Sequence, residues 1–394
     1  MAGDNATPAN IDIIIVNRDT ADHLHALLTR LIATRADRPY HVTVVDNDSR
    51  DGSQNIVRRY PEVRLIANST NSTYARSCNQ GAAAVHAERG PGGMLLFLNA
   101  DVDIDGRCIE QLAEGMGPGI GAVVPLVWTY DPIHRFMSSC LKPPTPWLCL
   151  HENTVLSHFP AGAGLRGYQA CDRRLWNNLD EPVEVPATPG SILMVRRDMF
   201  HRLKGWDERF TSGHDDVDLC VRIRRDGHRI VRVPGTAATH FFAQARKRPA
   251  RTDDPALASW HDPRRDPVAY ITKYYGRRTG DGVRRIMRIE DRIKTWRRLA
   301  HTPLNRVPAA GPRTGGGMTL HWPDQDDREW FLELSLSRAF MVSMARRVQG
   351  TSTVLAPDLL ARLLPRKHYW RVIPAAHTAP ACAHGVFTPT PEIA

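Results

Sequence analysis

The first hundred residues alternate between two hydrophobic periods. Ile11 to Val16 (IDIIIV) is an apolar run of strand length. Leu24, Leu27, Leu28, Leu31 and Ile32 then recur at the i, i+3, i+4, i+7, i+8 spacing of a helix, with Asp19 or Thr20 placed to cap it. His41 to Asp46 (HVTVVD) predicts a second strand, and its end, DNDSRDGS, is turn chemistry leading into a helix that carries Ile56 and Val57. Val63 to Asn68 predicts a third strand, Ala75 to Glu88 a helix, and Met94 to Asn99 (MLLFLN) a fourth strand apolar enough to be buried on both faces. This alternation predicts an α/β domain, a mostly parallel central sheet with helices on both faces. Ligands of such sheets bind beyond the carboxyl ends of the strands. There the chain puts two acidic turns, Asp46 to Asp51 and Asp101 to Asp105, the last acid placed to cap a helix beginning near Arg107.

Gly121 to Trp128 predicts a further strand, and the stretch 129–188, rich in Pro, Gly, His and Trp, is expected to form irregular acceptor-facing loops. Regular patterning resumes at Gly190 to Leu203, a strand followed by a short helix. Val217, Cys220, Val221 and Arg224 then share one helical face, so Asp215, Asp216 and Asp218 fall in the first turn of a helix ending near Gly227. Arg229 to Pro234 predicts a closing strand, with His240 shortly after it. Beyond Gly280 the text changes: 307–317 is a Pro/Gly linker, Trp330, Leu334, Ser337, Met341 and Met344 fit one face of a helix, and 358–364 fits a second. The expected domains are therefore 1–280, in two halves at about 10–128 and 129–280, and a basic, mainly helical extension, 281–394.

Composition narrows the class. At 394 residues, 42% hydrophobic and 24% charged, the chain can bury a sizeable core. No apolar run approaches the ~18 to 20 residues of a membrane-spanning helix, and Met1 to Asn10 lacks the pattern of a signal peptide. A cytoplasmic location, or a peripheral one at the inner face of the membrane, is expected. Seven scattered cysteines, none spaced as CxxC, indicate neither a disulfide framework nor a zinc site. The net charge of +10 is concentrated: Gln244 to Arg298 holds 16 Lys and Arg against 7 Asp and Glu. Such a segment is a solvated helical surface or an attractor of lipid headgroups, nucleic acid or phosphorylated substrates.

Asp101 and Asp103 lie two apart. On an extended backbone both side chains point the same way and offer hard oxygen ligands suited to Mg²⁺ or Mn²⁺. Asp-x-Asp is common in solvated turns; its place directly after a buried strand is what makes it a candidate. The cluster Asp215, Asp216, Asp218 stabilises a helix dipole, and the mutual repulsion of its acids also suits a general base. His240 is a satisfied or surface histidine, or a third metal ligand.

Seven blocks in order, IIIVNRD (Ile13 to Asp19), VVDNDSRDGS (Val44 to Ser53), NSTYARSCNQG (Asn71 to Gly81), LFLNADVD (Leu96 to Asp103), GSILMVRR (Gly190 to Arg197), GWDERF (Gly205 to Phe210) and HDDVDLCVRIRRDG (His214 to Gly227), resemble the inverting family-2 glycosyltransferases of GT-A fold. The rhamnosyltransferase-like and galactofuranosyltransferase-like branch is the nearest in character. The resemblance covers about Asn10 to Arg278. It implies a Rossmann-like fold, a nucleotide-diphosphate sugar donor and a metal, Mn²⁺ or Mg²⁺, held by Asp101, Asp103 and His240. It also implies donor contacts from Val16, Asn17, Asp46, Asn71, Arg76, Asn79 and Asp101, with Asp46 on the pyrimidine base. Asp216 is implied as general base with Asp215 beside it, and Trp206 and Asp207 as neighbours of the acceptor. Three positions depart from the pattern. Asp215 stands where the family has Glu, Arg76 replaces a small residue, and Arg18 replaces an aromatic or hydroxyl residue.

The acceptor expected is a glycan or a lipid-linked glycan at a membrane surface. An alternative is nucleic acid, with the basic segment on phosphates and Trp260, Tyr270, Tyr274, Tyr275 and Trp296 against bases. A binding protein of the same fold without catalysis is a third reading.

Overall fold

The computed structural model describes residues 10–34, 40–131, 133–137, 141, 143–153, 181–211, 213–241, 265–300, 318–322, 330–335, 343–355, 368–374 and 383–387. The chain divides into two compact units, residues 1–129, 137–143 and 178–273, and residues 130–136, 144–177 and 274–394.

In the first unit the apolar runs become strands where the pattern places them: β1 (Ile11–Asn17), β2 (Tyr40–Asn47), β3 (Val63–Asn68) and β4 (Met94–Asn99). Between them run α1 (Ala21–Ala33), α2 (Ser53–Val57) and α3 (Tyr74–Arg89). A two-residue strand, β5 (Val102–Asp103), and α4 (Gly106–Glu114) follow; the Asp105 carboxylate caps α4 by accepting from the Cys108 N–H at 2.8 Å. The chain continues through β6 (Ile120–Asp131), β7 (Ile133–Met137), α5 (Pro146–Asn153), β8 (Val183–Glu184), β9 (Ile192–Arg196), α6 (Arg197–Arg202), α7 (Asp215–Arg225), β10 (Arg229–His240) and α8 (Arg265–Tyr275), of which α5 and most of β7 fall in the second unit. The central sheet has the order β3-β2-β1-β4-β9-β6-β10-β5.

Strands β3, β2, β1, β4, β6 and β10 point one way; β9 enters antiparallel between β4 and β6, and β5 pairs antiparallel with the end of β10. The sheet is therefore mostly parallel, as expected, with one reversed strand inserted at its centre. Helices α1 and α4 supply Leu24, Leu27, Leu28, Leu31, Ile109 and Leu112 to a core built on Ile11, Ile13, Ile15, Leu96 and Leu98. The closing strand is longer than the sequence predicts. A register shift between Arg232 and Ala237 lets β10 resume pairing with β6, which carries His240 to the strand's last position.

Charge is buried near the start of β1. Asp12 and Arg197 form an ion pair in which neither side chain is exposed, Arg89 lies 3.1 Å from the same carboxylate, and Arg197 donates to the Gly90 carbonyl at 3.1 Å.

The second unit corrects the expectation of a mainly helical extension. One long helix, α9 (Arg277–Ala300), is present, but six strands follow: β11 (Met318–His321), β12 (Trp330–Ser335), β13 (Ser343–Val348), β14 (Ser352–Leu355), β15 (His368–Pro374) and β16 (Ala383–Phe387). They form a β11-β14 ribbon and a β13-β12-β15-β16 antiparallel sheet. The helical reading of Trp330 and Leu334 mistook the period. In WFLELS Trp330 and Leu332, two apart, are both buried, and they join Val348 and Val372 in a small core. The expected linker at 307–317 and helix at 358–364 lie outside the described residues. Part of 129–188, expected to be irregular, is regular: β6 runs on to Asp131, and β7 and α5 lie within it.

Candidate active site

Four parallel strands end in asparagine: Asn17, Asn47, Asn68 and Asn99. A short amide at a strand end bonds to the neighbouring loop and fixes it. Asn17 donates to Asp46 at 2.7 Å and to Ser49 Oγ at 3.1 Å. Asn47 accepts from Asn68 at 2.9 Å and from Ser77 at 3.0 Å. Asp46 also accepts from the Ser49 N–H at 3.0 Å and Gln54 at 2.9 Å, and it is 0% exposed. Its carboxylate thus organises the β1 and β2 loops from inside, a role the sequence pattern does not reveal. Val16 is half-buried in β1 beside Val45 and Asn99.

Beyond β3, the side-chain amide of Asn71 and the hydroxyl of Ser72 are buried and have no hydrogen-bond partner among the described residues. Such orphaned polar atoms need an explanation, a bound ligand or water being the usual one.

Past β4 the chain does not stay extended. Ala100 and Asp101 form a turn before β5, so the extended backbone expected across Asp101 and Asp103 is interrupted. Asp103 instead pairs with Arg30 of α1 at 3.1 Å, and Asp105 lies 3.5 Å from the same guanidinium. Asp101 is matched with His240. Antiparallel pairing of β5 with β10 sets His240 opposite Val102, and its Nε2 lies 3.1 Å from Asp101 Oδ1 and 3.2 Å from the Asn99 amide. No group of three or more metal-ligating side chains occurs among the described residues. The pair nevertheless fits a divalent ion. Neighbouring ligands at ~2.1 Å in an octahedral shell are ~3 Å apart, and Mg²⁺-type sites commonly take one or two protein ligands and complete the shell from phosphate and water.

The acids of α7 separate into two kinds. Asp218 is fully buried and ion-paired with Lys273, while Arg222 lies 2.8 Å from its other oxygen. Lys273 also binds Asp207 at 2.7 Å, and Arg209 reaches the same carboxylate at 2.6 Å. Burial would raise the Asp207 carboxyl, but these donors hold it below the usual carboxylate range. Asp207, expected beside an acceptor, is therefore part of a charge network that ties the GWDERF loop to α7 and α8.

Among the described residues, Asp215 and Asp216 have no such Lys or Arg partner. Asp215 is buried, and Asp216 is the more open of the two. Burial first, then the charge of Asp216, push the Asp215 carboxyl up to about 8. Burial also raises Asp216, against the opposing pull of the Val217 and Gly190 N–H groups, which donate to it at 2.7 and 3.1 Å. A folded-state value of about 8 means that native Asp215 keeps its proton while the unfolded chain loses one above about pH 4, so this group subtracts stability as pH rises from about 4 to about 8. Asp215→Asn is expected to melt higher than the unaltered protein by a few degrees at pH 8 and by almost nothing at pH 4. Thermal melts across that range test this, and a gain that did not grow with pH would contradict it.

Trp206 forms the wall behind these acids. It is 1% exposed, edge-on to Tyr74 and Phe97 at centroid distances of 5.7 and 5.3 Å, and so its ring is not a surface for an acceptor, contrary to the expectation. A Cβ on Gly190 would sit 2.9 Å from Trp206 and 3.2 Å from Asp216 Cβ, so only glycine lets the peptide reach the carboxylate. Asn79, expected at the donor, clasps the Trp206 backbone instead, donating to its carbonyl at 2.9 Å and accepting from its N–H at 2.8 Å. Arg76 is exposed and lies 3.8 Å from Glu208. Three further residues lie at the site without having been singled out. The Tyr74 hydroxyl donates to the Gly190 carbonyl at 2.8 Å, the Asn99 N–H donates to the Ser191 carbonyl at 3.0 Å, and the Ser191 hydroxyl is buried without a hydrogen-bond partner among the described residues. Asn99 thus stands between the two constellations, its amide on His240 and its backbone on the segment that meets Asp216.

Residues 12–155 match the family described as glycosyl transferase family 2, and residues 174–245 match the family described as N-terminal domain of galactosyltransferase. An N-acetylglucosaminyl-diphospho-decaprenol L-rhamnosyltransferase of Mycobacterium tuberculosis is 30% identical over 269 residues, which is 64% of this chain and 81% of that protein. The O-antigen biosynthesis protein RfbC of Myxococcus xanthus is 24% identical over 277 residues, 65% of this chain and 20% of that protein. Among solved structures, a mannosyltransferase from Pyrobaculum calidifontis in complex with GDP-Man and Mn²⁺ is 17% identical with a TM-score of 0.40, covering 75% of this chain and 81% of its own, a likeness too distant to carry an argument. The family match across the sheet and the identity with a relative spanned over most of its length establish that the chain belongs to the family-2 glycosyltransferases.

Proposed function

We propose that the chain moves a sugar, with inversion, from a nucleotide-diphosphate donor to a hydroxyl of a lipid-linked glycan, with Mn²⁺ or Mg²⁺ bound by Asp101 and His240. The observation that carries this reading is the placement of two distinct constellations around Asn99: an Asp101–His240 pair fit for a cation, and an Asp215–Asp216 pair in which Asp216 accepts from backbone N–H groups. The ion would neutralise charge growing on the leaving diphosphate. Asn71, Ser72 and Ser191 carry buried polar atoms suited to hold donor hydroxyl or phosphate groups, and the β1 and β2 loops, braced by Asp46, form the floor beneath the nucleotide.

Asp216 is the base. Two acids one residue apart in a buried site cannot both stay charged, and the N–H groups of Gly190 and Val217 favour the charge on Asp216. Asp216 is also the more open of the two, within reach of an incoming hydroxyl. As the acceptor oxygen bonds to the anomeric carbon and the bond to the phosphate oxygen breaks, Asp216 takes the hydroxyl proton. Attack opposite the leaving group inverts the centre. The name of the Mycobacterium relative specifies a polyprenyl-diphosphate acceptor, which supports the acceptor class adopted here. The nucleic-acid reading is weaker, because Tyr270 is buried and cannot stack on a base.

Release of nucleoside diphosphate from a panel of nucleotide sugars, with a polyprenyl-diphosphate-linked N-acetylglucosamine and Mn²⁺ or Mg²⁺, tests the reading. EDTA is expected to abolish release, and Asp101→Ala to lower it by roughly 10²-fold or more. Turnover that survived both changes would sink the metal assignment. Retention of anomeric configuration in the product, read by NMR, would sink the inversion.

A further inference from the structure

Helix α9 presents two apolar stripes, only one of them covered. Gly280, Val283 and Met287 are buried in the second unit, where α9 packs against α5. Ile286 and Ile289, one turn apart on another face, are 46% and 57% exposed, and Trp147 on α5 is 56% exposed. In the sequence the same spacing continues through Ile293 and Trp296. Arg284, Arg285 and Arg288 are exposed beside the two isoleucines. Between Arg277 and Ile289 there are five arginines and one acid, Asp281, and that acid lies between Arg277 and Arg284 at 3.8 and 3.7 Å. Up to Ile289, no ion pair joins Arg285 or Arg288 to a described acidic side chain; Glu290 and Asp291 come next in the sequence.

We propose that this face of α9 is a docking surface for an anionic lipid bilayer, with Ile286 and Ile289 entering the headgroup boundary and Arg284, Arg285 and Arg288 on the lipid phosphates. An exposed isoleucine stripe flanked by arginines matches an interfacial helix, which needs both apolar area and positive charge. A nucleic acid would use the arginines and leave the isoleucines in water, whereas a bilayer takes both. Helix α9 is far too charged to cross a membrane, and no described helix is long and apolar enough to do so. The surface deepens the reading of a lipid-linked acceptor but is measured apart from it, since vesicle binding requires no turnover.

The test is co-sedimentation of the full chain with vesicles of phosphatidylcholine alone and of phosphatidylcholine mixed with phosphatidylglycerol. Partitioning is expected to be roughly ten-fold or more stronger on the anionic vesicles and to fade as salt is raised. Ile286→Ser with Ile289→Ser is expected to abolish it at an unchanged melting temperature, and Arg284→Gln, Arg285→Gln and Arg288→Gln together to abolish the preference for anionic lipid. Equal binding to both vesicle types, or binding undiminished in either variant, overturns the proposal. So does a dimer on size exclusion that the isoleucine variant breaks without any vesicle binding, which would assign the face to a second copy of the chain. Nucleotide release measured on a detergent-dispersed acceptor shows separately whether the transferase reading stands.

Discussion

Asp216→Asn is expected to lower turnover by roughly 10²- to 10⁴-fold while nucleotide-sugar binding and the melting temperature stay close to those of the unaltered protein. The asparagine keeps an oxygen to accept from the Gly190 or Val217 N–H, so the packing of Gly190 against Trp206 is preserved. It removes the one property the reaction needs, the capacity to take a proton. Donor binding depends on the Asp101–His240 end of the site and on the loops beyond β1 to β3, none of which Asp216 touches. Isothermal titration with the donor and its metal, run beside a rate assay, separates the two effects. A loss of binding equal to the loss of rate would mean that Asp216 holds the donor, and the roles assigned to the two acid constellations would have to be exchanged.

Asp12→Ala carries the largest expected cost in stability, on the order of 3–5 kcal/mol. The substitution strips the buried Arg197 of its ion-pair partner and leaves the guanidinium with the Gly90 carbonyl at 3.1 Å. Burial already pulls the Arg197 pKa down, with Asp12 opposing that pull, so the remaining cation sits in a site that disfavours it. The melting temperature should fall by on the order of 10 °C. Removing both charges, Asp12→Ala with Arg197→Met, is expected to recover most of the loss, because the penalty comes from the unpaired ion and not from absence of the pair. A double variant no more stable than Asp12→Ala would refute that account.

How much of this was legible in the chain depended on the range of the forces involved. Strands β1 to β4 were read to within a residue or two because short apolar runs bounded by turn residues mark buried strands, most plainly in β4, where Met94 to Leu98 are all apolar and buried. The capping role of Asp105 was legible for a similar reason, since its partner, Cys108, is three residues away. The turn at Ala100 and Asp101 was missed because a rule that assumes extended backbone cannot show it. Asn79 was assigned to the donor, yet its partner is the backbone of Trp206, 127 positions on, and no local pattern announces such a contact. The same holds for Lys273, which neutralises two acids from a helix whose text reads only as amphipathic. In the extension, Trp330 and Leu334 fit either a helical or an alternating period. Only the pairing of Trp330 with Val348 and Pro374 decides between them.

Insertion of β9 between β4 and β6 has a consequence for how this chain is made. Met94 to Asn99 leaves the ribosome as an open edge, apolar up to Leu98, and the strand that covers it, Ile192 to Arg196, lies roughly ninety residues downstream. At translation speeds of about 5–20 residues per second that edge waits for several seconds or longer, a template for pairing with any neighbouring nascent chain. Chaperone occupancy during synthesis, and aggregation of fragments that end before Gly190, are where this protein's expression is most vulnerable.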